Sequence, residues 1–202
     1  MPILVPPVLS AGALARLAQP VIPAGDGLLL RPWRTADAPG VHAAFQDPVQ
    51  RQWHGRFTES EDEAKDWIET WRQDWAEENR ATWAVADAGT DEVVGRVALR
   101  EIHLEDGCAE VAYWTVARSR GRGVAVTATE ALTRWAFDEI GFHRLELTHS
   151  TANEASCRVA TKSGYDLEGT RRSYVLHQDG WHDMHLHARV NETHLHARVN
   201  ER

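Results

Sequence analysis

Cysteine is scarce in this chain: two among 202 residues, Cys108 and Cys157. Two thiols without C-x-x-C spacing exclude a disulfide framework and a sequence-local metal clip. Such sparse use fits a reducing, cytoplasmic setting. Positive charge is also short. The 22 Lys and Arg face 30 Asp and Glu, a net charge of -8, which argues against a general nucleic-acid or anionic-membrane partner. Long apolar runs are missing too. The longest uncharged stretch, residues 1–15, is interrupted by Pro2, Pro6 and Pro7 and falls short of the ~20 residues of a membrane span. Its first basic residue, Arg16, follows the apolar stretch, whereas a secretory signal carries its charge in front.

What is present is enough for one core. Hydrophobic residues make up 43% of the chain, and a chain of this length buries roughly 70% of its unfolded surface. Residues 1–25, rich in Pro and Ala, read as an extension packed on the domain or on a partner subunit. Residues 26–191 read as one domain and 192–202 as a tail.

Regular patterning begins at Leu28. Leu28 to Arg31 reads as a short strand stopped by Pro32, and Thr35 as the N-cap of a helix to about Gln46 with Asp37 in its first turn. Ser60 and Glu63 form a capping box. It opens a helix whose Ala64, Trp67, Ile68, Trp71 and Trp75 recur at core spacing. Strands follow at Trp83–Ala86, Glu92–Ile102 and Cys108–Val116. A helix runs from Val124 to Ile140, capped by Gly141, then a strand from Arg144 to His149 and a helix from Asn153 to Ser163. Tyr174–Leu176 and Trp181–Val190 flank Asp179-Gly180, a strong hairpin signal. Helices interleaved with a meandering sheet predict an α/β (α+β) domain with a mostly antiparallel sheet.

The tail carries a repeat: His185 to Glu192 recurs nine residues later as His194 to Glu201. Two copies do not make a solenoid. The first copy reads as the last strand, with Met184, Leu186, Ala188 and Val190 toward the core, and the second as surplus. The His-x-His spacing sets two imidazoles on one strand face. With no cysteine or carboxylate set beside them in the sequence, no metal centre is expected.

The chemically informative segment is Val116 to Ala125, with Arg118, Arg120, Arg122, Gly121 and Gly123. It follows a strand and opens a helix, so its backbone amides and the helix terminus can cradle a pyrophosphate. It is not a Walker A loop, because no Gly-Lys-Ser/Thr follows. It is not the dinucleotide G-x-G-x-x-G, because Val126 stands at the third glycine. A tight turn with solvated arginines is the plainer alternative.

One strand further on comes Asn153 to Tyr165, and here the chain resembles the GNAT acetyltransferase superfamily. Arg118, Gly121 and Gly123 match its Arg/Gln-x-x-Gly-x-Gly/Ala cofactor signature. Asn153, Ser156, Lys162, Gly164 and Tyr165 match the helix that follows. Leu30-Arg31-Pro32 with Asp37, Ala109 to Trp114 and Asp179 to Asp183 look like the RimJ/RimL branch, which acetylates protein N-termini. The resemblance covers about 28–190 and implies a GNAT fold: a twisted, mostly antiparallel sheet flanked by helices.

That resemblance implies acetyl-CoA as co-substrate, its pyrophosphate on Arg118, Gly121, Arg122, Gly123, Val124 and Ala125. Backbone groups of Val116 and Arg118 would pair with the pantetheine arm, Asn153 would touch it, and Ser156 would lie near the sulfur as proton donor. The position where many relatives place a catalytic tyrosine holds Arg158 and Val159, so the serine variant is expected. Glu110 is the candidate base, with a structural carboxylate as the alternative. Cys157 has no histidine on its own helix and is not read as the nucleophile. Trp53, Trp114, Tyr174 and Asp183 are candidates for the acceptor cleft.

Amine type sets the demand on a base. Deprotonation at pH 7 costs roughly 1.4 kcal/mol for an α-amine and 4.6 for a lysine. A peptide N-terminus is therefore the easier acceptor. A small amine such as an antibiotic or polyamine, and a non-catalytic acyl-CoA-binding protein, are the other readings. The acidic net charge would suit a cationic acceptor. A homodimer is implied by analogy with the branch.

Overall fold

The computed structural model describes residues 4–192. The second copy of the repeat lies outside them. Eight strands form one sheet in the order β1-β2-β3-β4-β5-β6-β8-β7. In chain order these are β1 (Ile22–Gly25), β2 (Leu28–Pro32), β3 (Ala81–Asp87), β4 (Val93–His103), β5 (Cys108–Thr115), β6 (Arg144–Ser150), β7 (Asp166–His177) and β8 (Gly180–Val190). All neighbours are antiparallel except β5 and β6. The helices are α1 (Ala38–Ala44), α2 (Pro48–His54), α3 (Glu61–Ala76), α4 (Val124–Trp135) and α5 (Glu154–Lys162).

Each sheet face has its own helices. Trp83, Val97 and Tyr113 are cross-strand neighbours, so they share a face, and that face meets α4 through Trp135 and α5 through Ser156. Arg96 and Trp114 are paired on the opposite face. There Trp114 meets Phe45 and Trp33, and Arg96 lies over Trp71 of α3. Both layers bury large apolar side chains, among them Leu30, Leu99, Leu132 and Leu145, all fully enclosed.

Local signals explain the helix starts. Ser60 Oγ accepts from Glu63 N at 3.2 Å, whereas Glu63 reaches back to Glu59 N and not to Ser60. Ala64, Ile68, Trp71 and Trp75 of the α3 stripe are buried, and Trp67 is half-buried. Thr35 is not an N-cap. It opens a 3-10 turn, Thr35–Asp37, because Asp37 is drawn back to Arg34 N and to the buried Arg31 guanidinium, both at 2.8 Å. The helix over Pro48–His54, which the sequence reading omits, starts on Asp47, whose carboxylate accepts from Val49 N. The closing hairpin is longer than expected, since β7 begins at Asp166.

The N-terminal segment packs on the domain. Leu9 and Leu14 belong to the core, β1 pairs with β2, and Glu78 receives the amides of Gly12 and Leu14 at 2.6 and 2.7 Å. In β8 Met184 and Ala188 are buried as expected, Leu186 and Val190 only half-buried. Met184 and Ala188 are buried on the face away from α5, while His187 and Arg189 reach the α5 side, touching Tyr165 O and Ser163 O.

Candidate active site

The glycine-rich turn sits where β5 leaves the sheet. Gly121 and Gly123 have φ of 74° and 80°, a left-handed region that glycine enters without steric cost. Gly123 is the N-cap of α4, and no side chain caps that helix. The first-turn amides of α4 are thus left without an intrahelical acceptor, and a Cβ at either glycine would meet no atom within 4 Å. This is open, uncapped, electropositive backbone of the kind a pyrophosphate fits. Val124 and Ala125 supply the first helical amides.

The arginines divide. Arg118 bonds Glu92 and the Val93 carbonyl, and Arg120 pairs with Asp47 at the start of α2. Both tie the turn to neighbouring elements. Arg122 is exposed and stands on the solvent side of the turn.

Beside the turn the sheet opens. β5 and β6 pair only from Cys108–Arg144 to Glu110–Glu146, although both strands run on. Val116 N–H bonds the Val94 carbonyl, and its own carbonyl accepts from Ser119 N. The backbone groups expected from Val116 for the pantetheine arm are therefore already engaged. By strand alternation, Tyr113 and Thr115 present theirs to the gap instead. An extended amide-bearing chain fits there as an added strand.

Asn153 and Ser156 lie at this gap. Asn153 Oδ1 accepts from Ser156 N at 3.0 Å and caps α5. The Ser156 hydroxyl makes a bond the sequence did not announce, to Tyr113 Oη at 2.6 Å. Burial pushes the Tyr113 phenol up to about 12, against the opposing pull of its Ser156 bond, so it stays protonated. Tyr113 was legible as a strand residue facing away from Glu110 and Trp114; its partner on α5 was not.

Glu110 is on the other face, and Arg100 Nη2 holds its Oε1 at 2.8 Å. A second candidate stands on that face. His182 Nδ1 is 2.7 Å from Ser150 Oγ, and His182 Nε2 is 2.9 Å from Asp179 Oδ1. Gln52 of α2 also bonds Asp179, and His177 bonds the Gln52 carbonyl. Trp53 stands edge-on to His177 and His182 at 5.7 and 6.0 Å.

The four acceptor candidates have different surroundings. Trp53 lies by His182. Trp114 is 3% exposed inside the aromatic core. Tyr174 is exposed with Arg171 over its ring, and Asp183 accepts from Ser173 N, pinning the bulge in β7.

Three arginines cluster on this face, two of them paired with carboxylates: Arg100 with Glu110 and Arg80 with Asp74. Burial, then Arg80 and Arg100, lowers the Arg96 guanidinium to about 9. Burial, then Arg96 and Arg100, lowers His54 to about 3. The Nε atoms of Arg80, Arg96 and Arg100 are buried with no hydrogen-bond partner among the described residues.

A mostly antiparallel sheet that splits between two parallel strands, above an uncapped helix, is an acyltransferase architecture. The chain belongs to the GNAT acetyltransferase family: the acetyltransferase (GNAT) domain matches residues 27–166, and the protein is an acyltransferase enzyme. It is 26% identical over 166 residues to the uncharacterized N-acetyltransferase YoaA of Bacillus subtilis, covering 82% of this chain and 94% of that one. It is 27% identical over 100 residues to the ribosomal-protein-serine acetyltransferase of Escherichia coli, covering 50% and 56%. Among solved structures, RimL, a ribosomal L7/L12 α-N-protein acetyltransferase in complex with coenzyme A, superposes with a TM-score of 0.77 at 20% identity, covering 85% and 98%. No helix among the described residues is long and apolar enough to cross a membrane.

Proposed function

We propose that the protein transfers the acetyl group of acetyl-CoA directly to the α-amine of a peptide or protein N-terminus. The observation that carries this is the uncapped α4 terminus beside the β5–β6 split, with the Tyr113–Ser156 pair at its inner end. Bound acetyl-CoA supplies an activated thioester. The amides of Gly121 to Ala125 hold its phosphates, and the backbone of Tyr113 and Thr115 aligns its arm. Tyr113, through Ser156 Oγ, holds the proton that the departing sulfur takes up. Holding both substrates together removes the need for a covalent intermediate on the enzyme.

On the acceptor face, His182 is the better placed base. It is oriented by Asp179, as a general base needs, whereas the Glu110 carboxylate is committed to Arg100. Glu110 is then a positioning residue for that arginine. With Arg80 and Arg100 paired to Asp74 and Glu110, Arg96 is what the cluster contributes to acceptor choice, and it favours an acceptor with a carboxylate near its amine. A cytoplasmic setting accords with this chemistry.

The test is acetyl-CoA-dependent acylation, read as free thiol release, against acidic N-terminal peptides, neutral peptides and polyamines. Acidic peptides are expected to turn over fastest. His182→Gln should lower kcat, while Glu110→Gln should alter KM more than kcat. Binding of acetyl-CoA with no acceptor-dependent thiol release would support the non-catalytic reading, and preference for polyamines the small-amine one.

A further inference from the structure

A second cluster lies beneath α5, apart from the groups assigned to acetyl transfer. His149 of β6, Cys157 of α5, and His185 and His187 of β8 each bring one donor atom within 4.8 Å of all the others. Strand register assembles them. His149 pairs directly with His185, and Leu147 with His187, so the three imidazoles share the face that α5 covers. Cys157 comes down on them from that helix.

The ring tautomers give the cluster its meaning. His149 Nδ1 lies 2.8 Å from the Ser150 carbonyl, and His187 Nδ1 lies 3.1 Å from the Tyr165 carbonyl. A carbonyl oxygen only accepts, so both Nδ1 atoms carry the hydrogen. The neutral rings then turn two Nε2 lone pairs toward one another at 3.2 Å. Nothing in two neutral imidazoles stabilises that contact. A shared proton would do so, but it would bury a cation in a cluster that contains no carboxylate, which is costly.

A divalent ion resolves the same geometry by coordinating both lone pairs: with the Cys157 thiolate the net charge is +1, equal to that of the shared proton, and four coordination bonds offset its burial. An Nδ1–H bonded to a carbonyl is how proteins commonly orient a metal-ligating histidine. Tetrahedral coordination with Zn–N near 2.0–2.1 Å gives an N···N edge of about 3.4 Å, close to the 3.2 Å separation here. His185 adds a buried Nδ1 with no hydrogen-bond partner among the described residues, and Cys157 adds a sulfur.

We propose that His149, Cys157, His185 and His187 form a tetrahedral site for one zinc-class divalent ion. Three imidazoles and a thiolate are a donor set for zinc rather than for magnesium or calcium. Protein fills all four positions, so the site is structural: it clamps α5, and with it Ser156, to β6 and β8. Binding releases the Cys157 thiol proton to solvent. The sequence reading expected no metal because two of the ligands, His149 and Cys157, are far from the His-x-His pair in the chain.

The test uses the full-length chain, stripped with a chelator, titrated with Zn²⁺ against a chromophoric chelator and with Co²⁺ as an optical probe. One ion per chain is expected, with tetrahedral Co²⁺ bands and a thiolate-to-cobalt charge-transfer band, and a higher Tm on loading. Cys157→Ser should remove the charge-transfer band. It should also weaken zinc by more than the ~10–100-fold that loss of an outer-shell partner brings, with the fold checked by circular dichroism. The double variant His194→Ala/His196→Ala should change neither stoichiometry nor spectrum. Failure of the full-length chain to bind zinc would overturn the proposal. So would a cobalt spectrum without the thiolate band, or binding that survives Cys157→Ser and disappears with the tail histidines.

Discussion

Mild acid should destabilise this protein before its carboxylates titrate, and the half-buried His54 should contribute. The ring sits at the end of α2, 5.9 Å from Phe45, and burial, then Arg96 and Arg100, lowers its pKa from 6.5 to about 3. A depressed histidine pKa means that the unfolded chain binds a proton the folded chain refuses. Stability is therefore intact above the unfolded value and falls as pH drops from about 6.5 toward 3. At pH 5 the gap is 1.5 units, or about 2 kcal/mol at 1.36 kcal/mol per unit. His149, lowered chiefly by burial, acts in the same direction, so wild type alone cannot isolate the effect. Urea denaturation at pH 7 and pH 5 of wild type and His54→Leu does isolate it. The variant should lose about 2 kcal/mol less than wild type across that interval, and Arg96→Met should recover part of the same difference. Equal losses in wild type and His54→Leu would refute the reasoning, as would an imidazole whose NMR shifts titrate near 6.5.

Other consequences can be checked alongside. Gly123→Glu should bind acetyl-CoA at least about tenfold more weakly, ~1.4 kcal/mol, because a carboxylate would enter the phosphate cradle; Gly123→Ala, which meets only the backbone cost of its φ of 80°, should keep most of the affinity in calorimetry. Ser156→Ala should slow turnover while leaving acetyl-CoA affinity nearly unchanged, and Tyr113→Phe should do the same if the two act as one proton path. Burial raises Glu78, but the amides of Leu14, Gly12 and Ala15 outweigh it and hold its pKa below 4.5. The anchorage of the N-terminal segment is thus complete above that value and lost as pH falls through the folded pKa. Glu78→Gln should weaken it by about 1–2 kcal/mol, seen as faster proteolysis at Arg16. Gly95→Ala would set a Cβ 2.5 Å from the Trp114 carbonyl, a backbone atom that cannot step aside; chemical denaturation should show a loss of about 1–3 kcal/mol.

Most of the element order was legible because its signals are local; β1 and α2 were not. Ser60 caps α3, Gly141 follows the helix that starts at Val124, and Asp179-Gly180 turns the last hairpin, each within a few residues of what it governs. The 118–123 turn belongs to the same class. Its glycines and the helix after them define an uncapped turn suited to an anion with no help from the rest of the chain. The shifted start after β2 was not legible, because Asp37 answers to a buried arginine and not to its own helix.

Sequence by itself determined the family, most of the sheet-and-helix order and the glycine-rich turn before α4, all set by short-range backbone chemistry and by motifs a few residues long. Tertiary structure alone decided which side chains meet. Strand alternation sends Tyr113 to Ser156 and Glu110 to Arg100, register stacks His149 on His185, and Arg80 from the loop before β3 joins Arg96 and Arg100 of β4. The physical reason is that hydrogen bonds and ion pairs act over a few ångströms of space, and in a sheet closed by long-range pairing that distance has no fixed relation to separation along the chain.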